Sequence, residues 1–219
     1  HPKARVYVTG ANEWREYDQY PPTQAKPRRF YLHSGGNANT LKGDGRLSRA
    51  KPGNQPTDGF TFDPRKPVPS YVDDEKGLLG ADHRAVEARE DVLVFTSEVL
   101  DEAIDIVGNV HLELYAASDA RDTDFFTKLL DVYPDGRALR LGAPGGALRA
   151  RYRNGFDKER LLTPGKVEKF TIDLEELGHR FLPGHRIRIE VTSSSFPDYV
   201  PNQNTGNPVA TDTEWNTAH

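Results

Sequence analysis

The segment His185–Pro197, HRIRIEVTSSSFP, decides the fold. Ile187, Ile189 and Val191 alternate with Arg186, Arg188 and Glu190, so one face is apolar and the other charged. A period of two is the signature of a strand. Val110–Ala116, VHLELYA, repeats it: Val110, Leu112, Leu114 and Ala116 oppose His111, Glu113 and Tyr115. Phe170, Ile172 and Leu174 do the same in the strand before His185. Asp135-Gly136 marks a tight hairpin, because glycine tolerates positive φ, and Pro183-Gly184 turns the chain into the opening segment. Short alternating runs broken by Gly, Pro, Asp and Asn predict an all-β, two-sheet antiparallel sandwich over residues 91–219. Helix is expected only as single turns near Leu47–Ala50 and Leu174–Gly178.

Residues 1–90 read differently. After a short strand at RVYVT (residues 5–9), the chain is rich in Pro, Gly, Asn and charge, with few periodic apolar positions. An extended segment with turns, hugging the sandwich, is the expectation. Together the two parts make one domain.

Composition narrows the function classes. Hydrophobic residues are 36% and aromatic residues 10% of the 219, enough for a core and against disorder throughout. A formal charge of -4 lacks the basic excess of a nucleic-acid binder. No apolar run approaches the roughly 20 residues of a membrane-spanning helix, so neither nucleic acid nor membrane is expected as a partner. Zero cysteines exclude disulfides, thiolate metal sites and a cysteine nucleophile. The chain also has no methionine and opens on His1, which points to a piece of a longer protein.

Ser193, Ser194 and Ser195 pose the question of a nucleophile. A hydrolase serine of the α/β class stands in Gly-x-Ser-x-Gly on a strand-to-helix elbow and needs a base supported by an acid. No glycine flanks these serines, and Phe196-Pro197 follows them. The expected role is structural: hydroxyls satisfying backbone groups where a strand leaves the sheet. His111 and His185 remain the conceivable bases, whereas His33, His83 and His179 are expected in loops or turns.

Asp119, Asp122 and Asp124 crowd one loop, as Ca²⁺ carboxylates can, but without EF-hand spacing. Arg149, Arg151 and Arg153 alternate along LRARYR, so arginine–carboxylate pairing involving Asp122 or Asp124 is preferred, the arginines projecting from one face of a strand. No zinc motif is present, and no cofactor or metal is expected. Trp14, Tyr17, Tyr20 and Phe30 form either a sugar-stacking platform or, preferably, an anchor onto the sandwich or a neighbouring domain.

Eight motifs then occur in order: VTGANEWREYDQYPP, YLHSGG, FDPRKPVPS, GADHRAVEAREDVLVFTSEVL, DTDFFTKLLDVYPDG, LRARYR, PGHRIRIEVTSSSFP and NQNTG. In this order they resemble the C-terminal domain of the X-prolyl dipeptidyl peptidase, cocaine esterase and α-amino acid ester hydrolase family, over nearly the whole chain. The resemblance implies a galactose-binding-like jelly roll attached to an α/β-hydrolase domain and a helical cap, which supply the Ser-Asp-His triad. No residue here inherits a triad position. By position, the loop Tyr71–His83 would approach the substrate pocket, with Leu78 and Leu79 as its apolar rim. Homo-oligomers are conceivable, and a stand-alone carbohydrate-binding sandwich is the alternative function. His83 departs from the family's usual glutamine there. Relatives also continue past the position of His219 into a final strand, without which a sheet edge is left open to association.

Overall fold

The computed structural model describes residues 2–70 and 82–219; the side chains of residues 143 and 144 are left aside. The element order is β1 (Ala4–Val8), β2 (Glu13–Tyr17), β3 (Tyr31–His33), β4 (Arg46–Ser48), α1 (Arg84–Glu87), β5 (Leu93–Ser97), β6 (Ile104–Ala116), β7 (Asp124–Val132), β8 (Ala138–Arg149), a 3₁₀ turn (Ala150–Tyr152), β9 (Glu168–Phe181) and β10 (Arg186–Thr192). A six-stranded sheet, β3-β4-β5-β10-β7-β8, faces the long antiparallel pair β6-β9, and β1-β2 forms a separate hairpin. All ladders are antiparallel except β4 with β5.

The alternation in the sequence builds the layer between the sheets. Ile187, Ile189 and Val191 of β10, Leu93 and Phe95 of β5 and Leu129 of β7 meet Leu174, Leu177 and Phe181 of β9. Val110, Leu112 and Leu114 of β6 pack against the same core. Toward one end, Phe125 and Phe170 stack across the sheets at 4.6 Å between ring centroids. The Asp135-Gly136 turn closes β7 onto β8, with Gly136 at φ 88° and the Gly136 amide donating to the Tyr133 carbonyl.

Three features depart from expectation. The first ninety residues supply β3 and β4 to the large sheet, beyond wrapping it. Leu47–Ala50 is no helical turn: Leu47 lies in β4 and points into the core. Leu174–Gly178 runs within β9, irregular only at Glu175, where φ reaches 68°. Leu174 and Leu177 are held by core contacts, and burial outweighs the local turn tendency. Helix occurs instead at α1 and at the 3₁₀ turn.

The β1-β2 hairpin crosses β9 at Gly178. A Cβ there would lie 2.6 Å from Val6 Cγ1 and 2.9 Å from the Tyr7 carbonyl oxygen, which explains the glycine. Thr9 and Arg180 complete the crossing through backbone hydrogen bonds, Thr9 N–H to the Gly178 carbonyl and Arg180 N–H to that of Thr9.

The charged face of β10 is not open to solvent. α1 and the segment leading to Ser70 lie over it, and Val68, Val86, Val92 and Val94 form a second small core. Glu190 and Lys128 are consequently buried.

Candidate functional site

The serine run follows β10 into a closed turn. Ser193, Ser194 and Ser195 are all buried. The Val68 amide donates to Ser194 Oγ at 2.8 Å, and the Phe196 amide donates to the Val68 carbonyl at 2.9 Å. The Tyr199 amide in turn donates to the Ser195 carbonyl at 2.9 Å. These serines join the exit of β10 to the segment over the sheet, and among the described residues no histidine contacts their hydroxyls. A nucleophile needs a base within reach and an open approach; this buried run has neither among the described residues.

The histidines are engaged elsewhere. His185 Nδ1 and His179 Nε2 flank the buried Asp131, at 2.8 Å and 3.2 Å from its two oxygens. Thr9 Oγ1 lies 2.8 Å from His179 Nδ1. His111 is an exposed residue of β6. The expectation that His33, His83 and His179 lie in loops fails in two cases and is modified in the third. His33 belongs to β3 and His179 to β9, and His83, at the start of α1, is buried with Nδ1 3.1 Å from Glu190 Oε1. Period-two reading missed this because the covering layer over β10 leaves no alternation of its own.

Among the described residues one serine–histidine hydrogen bond occurs, between Ser48 Oγ and His33 Nε2 at 2.9 Å. The same nitrogen faces the Ala50 carbonyl at 3.0 Å, so it carries a hydrogen and is not the base for Ser48.

The aspartates and arginines form ion pairs. Arg149 grips Asp124 through two hydrogen bonds of 2.9 Å, and burial pushes the Asp124 carboxyl up while Arg149 opposes that shift. Arg151 Nε donates to Asp122 at 2.7 Å, and the Arg151 amide donates to the other oxygen at 2.9 Å. Asn202 Nδ2 bridges both carboxylates. Asp119 stands apart, accepting the His219 amide at 2.7 Å. Among the described residues no group of acids or histidines has the arrangement of a metal site.

The three arginines do not share one strand face. β8 ends at Arg149 and the 3₁₀ turn takes over, so Arg151 turns inward and Arg153 reaches back to the Ala150 and Arg160 carbonyls. A cavity of about 240 Å³ opens beside Trp215, Gln203 and Asp212, and the Arg149 and Arg151 side chains on its wall already serve these pairs.

The aromatic residues divide. Phe30 packs on the core, and the Tyr20 hydroxyl donates to Glu176 at 2.5 Å. Trp14 is 57% exposed, set edge-on to Tyr7 with the Arg5 guanidinium 4.9 Å from its ring. Tyr17 pairs with Ala4 in the hairpin ladder. The hairpin is tied to the sandwich by Asp105, which binds both Arg180 and Arg15.

Leu78 and Leu79, the pocket-rim candidates, lie outside the described residues. The positions flanking that stretch are held by backbone hydrogen bonds, one to the turn after β10 and one to β8. The Ser70 amide donates to the Phe196 carbonyl at 2.7 Å, and the His83 amide to the Ala138 carbonyl at 2.9 Å.

Comparison with known proteins fits this inventory of a sandwich whose serines are structural. Cocaine esterase of Rhodococcus sp. (strain MB1 Bresler) is 40% identical over 215 residues, covering 95% of this chain and 37% of that protein. A putative serine esterase of Mycobacterium bovis is 27% identical over 88% of the chain. Among solved structures, an α-amino acid ester hydrolase superposes with a TM-score of 0.83 at 30% identity, over 99% of this chain and 38% of that one. An aminopeptidase from a marine sediment Thaumarchaeota archaeon gives 0.81 at 31%, over 99% and 37%. The chain thus spans about a third of the length of the relatives it matches. Residues 1–218 match the X-Pro dipeptidyl-peptidase C-terminal non-catalytic domain, and the chain belongs to that family.

Proposed function

We propose that this chain is the accessory sandwich of a serine hydrolase that attacks the acyl carbon of an ester, amide or Xaa-Pro peptide bond. Its partner is the catalytic α/β-hydrolase part, with a cap, of the same polypeptide. The carrying observation is the buried serine run, whose hydroxyls and carbonyls hold the chain over the sheet and contact no base among the described residues. The family match and the share of each relative's length support the same reading.

In this role the domain contributes surface. The exposed Trp14 and Tyr7 of the hairpin offer an apolar face to a neighbouring domain. The stretch between Ser70 and Asp82 contributes Leu78 and Leu79 to the rim of the substrate pocket. A fluorophosphonate probe tests the assignment, because it labels only an activated serine. This chain alone is expected to stay unlabelled. Stoichiometric labelling of Ser193, Ser194 or Ser195 overturns the reading.

A further inference from the structure

α1 lies on the outer face of the six-stranded sheet with charge sealed beneath it. Glu87 and Glu190 are both buried, and their carboxyl groups lie within hydrogen-bond reach of each other. Glu87 Oε2 accepts from Arg188 Nη1 at 2.6 Å, and Glu190 Oε1 accepts from His83 Nδ1 at 3.1 Å. The second oxygen of each, Glu87 Oε1 and Glu190 Oε2, has no donor among the described residues. Lys128 Nζ stands 3.9 Å from Glu190 Oε2, too far for a hydrogen bond.

Two ionised carboxylates in contact, shielded from water, repel each other and leave both oxygens unsatisfied. One proton on Glu87 Oε1 removes both costs, since the acid O–H then donates to Glu190. We propose that Glu87 and Glu190 share a single proton, and that this proton seats α1 on the sheet, so that full ionisation of the pair loosens the turn.

Among the described residues, the groups facing the pair come from every element around it. α1 brings His83, and Arg84, which is turned away onto Asp82. β10 brings Arg188, whose Nε also donates to Thr96 Oγ1 of β5, while Arg186 is occupied by the Ser97 carbonyl. β7 brings Lys128 and β8 brings Arg140, both directed at the Ser70 carbonyl, with Asp198 3.7 Å from Arg140.

Burial and then the Glu190 charge push the Glu87 carboxyl up to about 8, against the pull of Arg188. Burial also disfavours the Glu190 anion, but His83, Lys128 and the Glu87 hydrogen bond outweigh it and hold that carboxyl below its ordinary value. The sign follows. Glu87 is raised in the folded state, so its contribution is complete below its ordinary value of 4.5 and is lost as pH rises through about 8.

The test is amide hydrogen exchange on the full chain at about pH 6 and about pH 9, corrected for intrinsic rates. The reporters are the Glu87 amide, bonded to the His83 carbonyl, the Arg89 amide, bonded to that of Val86, and the Leu41 amide, bonded to that of Glu87. Wild type should lose protection there by at least about tenfold at the higher pH. Glu87→Gln, whose amide donates to Glu190 at any pH, should not. His83→Gln should keep the wild-type loss. Equal protection at both pH values, the same loss in Glu87→Gln, or its disappearance in His83→Gln each overturns the proposal. Infrared spectra give a second reading: a buried protonated carboxyl band near neutral pH, present in wild type. Its absence there overturns the proposal even if a variant fails to fold.

Discussion

Replacing Arg151 by methionine tests how far the structure depends on buried pairing. The substitution keeps most of the chain length and volume and removes the guanidinium. Three contacts vanish: Nε to Asp122 at 2.7 Å, Nη1 to Glu159 at 3.3 Å and Nη2 to the Asn207 carbonyl at 2.8 Å. Asp122, fully buried, keeps the residue-151 amide and Asn202 as its donors among the described residues. Stranding one partner of a buried pair costs about 3–5 kcal/mol. For a domain of this size each kcal/mol moves Tm by about 2–4 °C, so the expected fall is roughly 6–20 °C. Arg137→Met is the control, because its pair with Asp135 is about half exposed on both sides and contributes under about 1 kcal/mol. The assay is reversible urea unfolding with a thermal melt. The double variant Arg151→Met, Asp122→Leu should recover most of the loss, since it removes the stranded charge. A single variant within about 1 kcal/mol of wild type, or a double variant at least as unstable as the single, would refute the reasoning.

Other outcomes follow from the same contacts. Asp105 is held down at about 2 chiefly by its hydrogen bond to Arg180, with burial opposing and Arg15 adding. Its tie to the hairpin is therefore complete above its ordinary value of 3.8 and lost as pH falls toward 2; Trp14 fluorescence should report that release, and Asp105→Asn should remove the pH dependence. Gly178→Ala should cost about 1–3 kcal/mol by urea unfolding, because its Cβ meets Val6 and the Tyr7 backbone. Ser194→Ala should cost about 1–3 kcal/mol by stranding the Val68 amide, while probe labelling stays at background.

The parts of the molecule built on period two were legible in the sequence. Ile187, Ile189 and Val191 could be placed on the core from their alternation alone. Arginine–carboxylate pairing involving Asp122 or Asp124 could be expected, but not which arginine meets which aspartate, nor that Arg151 turns inward. What escaped was the outer layer. Nothing in Glu190 and Lys128 as residue types signals burial, because such side chains normally face water. Their burial depends on α1 and the Val68 segment folding over them, a long-range event with no local period. The buried His83 was hidden for the same reason. Leu47 and the stretch following Leu174 erred in the other direction, where turn-like neighbours masked strands fixed by core contacts such as those of Leu47 and Leu177.

Strand β7, DFFTKLLDV, runs between β10 and β8 in the six-stranded sheet. All nine residues are buried, because both faces of the strand are covered. In a library of single substitutions, an ordinary half-exposed strand tolerates change at every second position. β7 should show no such rhythm. Positions 125 and 129 should accept only apolar residues, and 124, 128 and 131 only residues that restore their ion pairs or hydrogen bonds. A family profile built over this strand will accordingly be dense with constraint that reads as catalytic, although its origin is architectural.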